Sequence, residues 1–248
     1  MNLPQRQCQH SNIELSMDKL NRLLDQHERW HQSGQREGKP LVLKNLNLSG
    51  ANLQNRQLAS LKLDNVDLRN ANLSGSDLAF AQLTNVQLNG SNLAQTYMHL
   101  SNWENVDLSG ANLTSAELSS SFMRNVNLYA ALLQHGVLIK CQWYEVTLTK
   151  ATLIDVNATR SEFVRCKMQE SNWENARLQR TKLLYCDLRS ANFSGGLLEE
   201  VSLHASSLFG IKGSVATVTN LLGDWIDISA AGDGSQKMPV NELEAMLI

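Results

Sequence analysis

Every fifth residue from Leu43 to Leu208 is Leu, Met, Trp or Phe, with Ala158 the one exception among 34 consecutive positions. Two residues before each runs a second series: Leu41, Leu46, Ala51, Arg56, Leu61, Val66, Ala71, Ser76 and on to Ser206. Apart from Arg56 it holds only small or aliphatic residues. A period of five fits neither the 3.6 residues of a helical turn nor the alternation of a long strand, so neither element could turn both series inward for so long. Short bridges joined by regular corners can.

The number of bridges per coil is legible too, because residues 20 apart resemble each other more than residues five apart. Val66, Val86, Val106, Val126 and Val146 form one row, and Ala51, Ala71, Ser91, Ala111, Ala131 and Ala151 a smaller one. Asn45, Asn65, Asn85, Asn105 and Asn125 recur at one corner, and Gly50, Gly90 and Gly110 at the next, residue types that tolerate the positive φ of tight turns. Four pentapeptides per square coil stack all these rows. Segments such as Ala51-Asn52-Leu53-Gln54-Asn55 and Ala71-Asn72-Leu73-Ser74-Gly75 resemble the A(D/N)LXX unit of the pentapeptide-repeat family. That resemblance, over residues 41–210, implies an all-β solenoid, a right-handed quadrilateral β-helix of about eight coils. At about 4.8 Å per coil the rod would be roughly 40 Å long.

A rod exposes unpaired backbone and a slice of core at each end, so caps are expected in residues 1–40 and 211–248. Ser16 can N-cap a helix whose Leu20, Leu23, Leu24, His27 and Trp30 recur at helical spacing before Gly34. After Leu208 the register weakens, with Val218 and Ile226-Asp227-Ile228 as its continuation. A short helical tail over 240–247 then serves as the other cap or as a homodimerisation device.

The composition, 42% hydrophobic and 19% charged, excludes a disordered chain, and a net charge of -2 gives no reason to expect direct binding to nucleic acid or membrane. Met1 to His10 hold no apolar signal region, and Cys141, Cys166 and Cys186 fall in the inward series, which points to a reducing cytoplasm. Leaderless secretion would leave no mark of this kind. His27-Glu28-Arg29-Trp30-His31 spells HExxH, which puts two imidazoles one helical turn apart as zinc ligands. Cys8 or His10 could complete such a site, but a capping helix is the plainer reading. No catalytic constellation or cofactor motif is present, and a square coil fills its own interior, so neither enzyme activity nor a cofactor is expected.

Two function classes remain. The first is a rigid scaffold that binds another protein through outward side chains, with Phe80, Tyr97 and Leu100, or the stacked Lys140, Arg160 and Arg180, as contacts. The second comes from the resemblance. Some family members mimic DNA and bind DNA gyrase or topoisomerase IV, protecting it from quinolones or peptide toxins. An acidic face would then be needed, and Asp64, Asp67, Glu104 and Asp107 are its candidates: residues 64–120 hold six acids against Arg69 alone. Residues 121–190 oppose it with ten bases against six acids. The family also includes secreted effectors, a third reading.

Overall fold

The computed structural model describes residues 15–247, without the side chains of 244–247. From the N-terminus come helix α1 (Met17–Gln32) and eight strands one coil apart: β1 (Val42–Asn47), β2 (Lys62–Asp67), β3 (Gln82–Thr84), β4 (Asn102–Glu104), β5 (Phe122–Arg124), β6 (Gln142–Tyr144), β7 (Glu162–Val164) and β8 (Lys182–Leu184). These form one parallel sheet in sequential order, each residue paired with the one 20 further on, as in Leu43 with Leu63 and Leu83 with Trp103. We call this wall face A. Residues 46–50, 51–55 and 56–60, with their equivalents every 20 residues, make faces B, C and D, joined by single parallel bridges such as Asn52 to Asn72 and Asp77 to Tyr97.

The repeat unit satisfies its own backbone. In residues 71–75, the Asn72 N–H donates back to Ala51 O, while the Leu73 and Gly75 N–H groups donate forward to Asn92 O and Ala94 O. The Ala71 N–H closes the corner on Leu68 O. That leaves Ser74, whose N–H donates to the Asn72 side-chain oxygen at 3.1 Å. Where Asn or Asp stands before the central residue it is therefore the acceptor for the fifth N–H, as recurs at Asn52, Asp77, Asn92, Asn112 and Asn192. The next corner residue but two has positive φ throughout, from 53° at Asn125 to 70° at Gly50. No β-branched residue occupies that position between 45 and 210, in keeping with the steric cost of φ > 0 for such side chains.

Both inward series are buried in one continuous core. Polar members of the smaller series are satisfied locally: the Ser91, Thr96 and Ser101 hydroxyls donate to carbonyls three residues back at 2.5–2.7 Å. Trp103 and Trp173, fully buried, donate their indole N–H to Ser101 Oγ and Ser171 Oγ at 2.7 and 2.8 Å. The twice-occurring Ser-Asn-Trp-Glu-Asn block is thus a core device, in which a serine two residues earlier supplies the acceptor that a buried tryptophan requires. Trp143, Phe163, Trp173 and Phe193 pack in succession, with centroids 5.3–6.3 Å apart.

The coil continues past residue 210, through Val218 and Ile226. β9 (Leu197–Glu199) pairs with β10 (Thr217–Thr219), and Ser202 to Leu222 and Ser207 to Asp227 keep the 20-residue register, giving about nine turns. The register was faint in sequence because Gly213 and Gly223 stand where the large central side chain should be. β11 (Trp225–Asp227) then pairs antiparallel with β12 (Lys237–Pro239), which reverses the chain and ends the stack. Helix α2 (Val240–Leu247) follows, and Met238, Val240 and Leu243 are buried in the rod's core cluster. The tail is therefore a cap, and this packing lends no support to its alternative role in dimerisation. Arg189 fastens the reversing loop, pairing with Asp187 and donating to the Ala230 and Ala231 carbonyls at 3.0 and 2.7 Å.

At the other end α1 closes the first coil, with Ser16 as N-cap and Leu20 and Leu24 buried in the core. The segment returning from α1 passes so close that a Cβ on Gly38 would stand 2.1 Å from Gln26 O, and φ there is 79°. Arg56, the misfit of the inward series, turns toward this lid and pairs with Asp25 at 3.0 Å and Glu28 at 2.9 Å. Among the described residues no helix is long and apolar enough to cross a membrane.

Replacing Ser171 by Ala strands the Trp173 indole N–H in the core without an acceptor. The expected destabilisation, read by urea unfolding, is about 1–3 kcal/mol. Ser119→Ala, outward on face D, should be nearly silent in the same measurement.

Candidate functional site

Face D and the corner that closes it hold the rod's most coherent outward pattern. Near its N-terminal half lie Phe80, Tyr97 and Leu100, 50%, 56% and 53% exposed. Phe80 and Leu100 occupy the corner one coil apart with φ of 58° and 56°, and the His99 ring meets Phe80 edge-on at 5.4 Å. Four coils of the same corner then carry Ser120, Lys140, Arg160 and Arg180, all at positive φ, which points their side chains away from the wall. Lys140, Arg160, Arg177 and Arg180 line a shallow groove of about 460 Å³, with Ile139, Asn157, Thr159, Gln179 and Glu199 between them.

The charges in this groove are not equivalent. Arg180 is answered by Glu200 on the next coil, at 2.8 Å from Nε. That hydrogen bond and the opposite charge raise the guanidinium pKa and lower the Glu200 carboxyl below its usual value. Lys140, Arg160 and Arg177 have no ion pair among the described residues, so the free cationic set contains Arg177 and not Arg180. Lys182, close in sequence, lies on face A and pairs with Glu162 at 3.2 Å. Glu117, which stands between the apolar and basic parts of face D, accepts the Ser119 N–H at 2.8 Å and so is folded back on its own turn.

The acidic face expected from Asp64, Asp67, Glu104 and Asp107 does not form. Asp64 and Glu104 project from face A, and Asp64 lies 3.6 Å from Lys44. Asp67 and Asp107 belong to face B and occupy the backbone-capping position, accepting the Arg69 and Ser109 N–H groups. Asp67 is only 2% exposed and is forked by the Arg69 guanidinium, while Asp107 also accepts from the Asn127 amide at 3.0 Å. Two of the four acids are thus structural acceptors, and the remaining two share a face with Lys62 and Arg124, which form no ion pair among the described residues, Arg124 lying over the Phe122 ring. Position carried the distinction on faces B and D, where Asp67, Asp77 and Asp107, directly before the central residue, cap backbone, whereas Asp64 and Glu104, directly after it, point outward from face A.

Comparison with known proteins agrees with this architecture. Residues 137–212 match the pattern described as a pentapeptide repeat region, and residues 62–99 and 91–128 match pentapeptide repeats in eight copies. The chain belongs to the pentapeptide-repeat family. Solved structures similar to it include HetL, involved in heterocyst differentiation regulation in the cyanobacterium Nostoc sp. strain PCC 7120, with 20% identity and a TM-score of 0.36. That match covers 84% of this chain and 96% of HetL. Full-length QnrB1, a plasmid-mediated fluoroquinolone resistance protein, is 17% identical over 74% of this chain and 93% of its own, with a TM-score of 0.44. A pentapeptide repeat protein of the Arabidopsis thaliana thylakoid lumen is 21% identical over 49% of this chain and 67% of its own, with a TM-score of 0.21. Among curated proteins none matches the sequence.

The HExxH segment of this pentapeptide-repeat protein serves the lid. His27 is buried with its Nδ1 accepting the Leu41 N–H at 3.0 Å. No coil precedes Leu41 to take that donor, and the imidazole supplies the missing acceptor. Glu28 pairs with Arg56 and accepts the Gln57 N–H. His31 is exposed, and no cluster of three metal-ligating side chains occurs among the described residues. Cys8 and His10 lie outside the described residues. The structure therefore gives both His27 and Glu28 bonding roles that compete with zinc chemistry. A further aromatic series went unread in the sequence: His204 meets Tyr185 on one side and Trp225 on the other near the C-terminal cap, with Lys237 4.1 Å above the Trp225 ring. Tyr185 and Trp225 lie on the corner row, and His204 one position before it breaks the 20-residue signal.

Burial lowers the His27 pKa, helped by the His31 charge and opposed by the Leu58 and Ala59 carbonyls and Glu28. The folded lid therefore holds His27 neutral where the unfolded chain would take up a proton. The stabilisation is complete above the ordinary histidine range and declines as pH falls through it. Urea unfolding at pH 7.5 and pH 5.5 should show a smaller loss for His27→Gln than for the native protein. Equal losses would remove His27 from the acid sensitivity.

Proposed function

We propose that the protein is a non-enzymatic rigid scaffold that binds a protein partner through face D. The observation that carries this reading is the coexistence on one wall of three unpaired cations, Lys140, Arg160 and Arg177, and three exposed apolar side chains, Phe80, Tyr97 and Leu100. An exposed cation stack has no internal stabilisation to offer, since like charges about one rung apart repel. Large apolar side chains on a corner likewise contribute nothing to the core. Both gain on contact with another molecule. The wall beneath them is a hydrogen-bonded solenoid, so little ordering entropy is lost on binding.

The interior supports a binding role over a catalytic one. It is filled with side chains, and its thiols are unsuited to attack: burial pushes Cys141 up to about 11 and raises Cys186 well above the ordinary thiol value. Three unpaired buried thiols favour a reducing cytoplasm as the working compartment. The same wall would serve an effector delivered into another cell, and fractionation of a producing culture separates the two uses. A type II topoisomerase as partner has less behind it, because the acids that mimicry of DNA requires are divided between faces A and B and half of them cap backbone.

Charge reversal at Arg160 and Arg177 together should abolish capture of the main partner in a pulldown while leaving the melting temperature within about 2 °C of native. Retained capture would remove the groove from the function. In a gyrase supercoiling assay, with or without a quinolone, the native rod should neither inhibit nor protect. Inhibition or protection would put the topoisomerase reading in place of this one.

A further inference from the structure

The two halves of face D are held at a fixed separation, and that separation constrains what can lie across them. Leu100, Ser120, Lys140, Arg160 and Arg180 are successive rungs of one corner. At about 4.8 Å per rung, Leu100 stands about 10–14 Å from the Lys140–Arg160 pair and about 19 Å from the rung shared by Arg177 and Arg180. An extended peptide advances about 3.4 Å per residue and turns alternate side chains to one side. Side chains at positions 0, +4 and +6 of such a segment fall about 14 and 20 Å from the first, all on the same face. We propose that the occupant of face D is an extended acidic segment of a partner protein lying along the rod axis. It seats an apolar side chain against Phe80, Tyr97 and Leu100, with carboxylates four and six residues away meeting Lys140, Arg160 and Arg177. This rests on the docking reading above and specifies its occupant.

Charge complementarity selects a carboxylate pair over a continuous polyanion. The unpaired cations span only three rungs. Glu117 stands on one side of them, and Glu199 and Glu200 close the other. A nucleic-acid backbone following the axis would carry phosphates into both acidic ends, whereas two carboxylates fill the basic stretch and stop. Arg and Lys pair with carboxylates through charge-assisted hydrogen bonds, and Asn157, Thr159 and Gln179 add neutral polar groups to the same wall. Between the two contacts Ser119 and Ser120 present small side chains, leaving room for the spacer.

The test uses the full-length protein and fluorescein-labelled 12-residue peptides in an anisotropy titration. The probe carries Leu at position 0 and Glu at +4 and +6 in a Ser/Thr/Gln background, synthesised in both chain directions. Comparison peptides move the two Glu next to Leu or replace them by Gln, and a 12-nucleotide oligo-dT serves as the polyanion. One direction of the probe should bind, with the Gln peptide and the Arg160→Glu/Arg177→Glu protein each weaker by about tenfold or more, and the displaced-Glu peptide and Leu100→Ser weaker by severalfold. Equal binding of the displaced peptide, no effect of the double variant, or tighter binding of oligo-dT would overturn the proposal. So would failure of both probe directions to bind. If partner capture in the pulldown still depends on Arg160 and Arg177 in that case, the docking face stands and only the extended acidic occupant is lost.

Discussion

A chain that turns a corner every five residues must find acceptors for five backbone N–H groups in each unit, and the rest of the structure follows from how it does so. Three go to the neighbouring coils and one closes the corner, which fixes the 20-residue register and the spacing of the rungs. In units with Asn, Asp or Glu before the central residue, the fifth is met by that side-chain oxygen, as at Ser74, Thr114 and Ser119. Only two side chains per unit point inward, one large and one small. The wall is then flat enough for outward residues 20 apart to stack.

The same constraint decides what was legible in the sequence. The period, the four-sided coil and the corner residues could be read because each is repeated in every turn. Features that occur once could not. Arg56 breaks the inward series because it faces the lid instead of another coil, and only the partners Asp25 and Glu28 explain it. Gly213 and Gly223 hid the last turn by removing its central side chains, although the small series continued through Leu221 and Ile226. On the candidate site, the outward placement of Phe80, Tyr97, Leu100, Lys140 and Arg160 was readable from position alone. Position also puts Glu200 beside Arg180, and the structure pairs them, whereas the burial of Asp67 depends on how its side chain meets the Arg69 guanidinium.

Acid content is a poor guide to surface potential in such a rod. Asp67, Asp77, Asp107 and Asp187 all accept the N–H two residues on, and Asp67 and Asp187 are further engaged by Arg69 and Arg189. Burial on its own would raise the Asp187 pKa, but hydrogen bonds from the Arg189 side chain and backbone, the Arg189 charge and the Gln169 amide lower it below the usual value. Such carboxylates are components of the wall. Any electrostatic account of recognition has to be built from the outward positions alone, where the N-terminal half is sparsely charged and the C-terminal half of face D is basic.

Rigidity changes what those outward positions can achieve. On a flexible loop three like charges would separate to relieve their repulsion, and an apolar side chain would fold back against the surface. On a corner held at positive φ by hydrogen bonds to both neighbouring coils, neither adjustment is open to the backbone. The groups remain at multiples of the rung spacing, so unrelieved repulsion and exposed apolar area persist in the free protein and are released only on binding. A solenoid of this kind recognises by a ruler: the coil number between two side chains sets the distance between their contacts on the partner, and specificity resides in that distance as much as in the residues themselves.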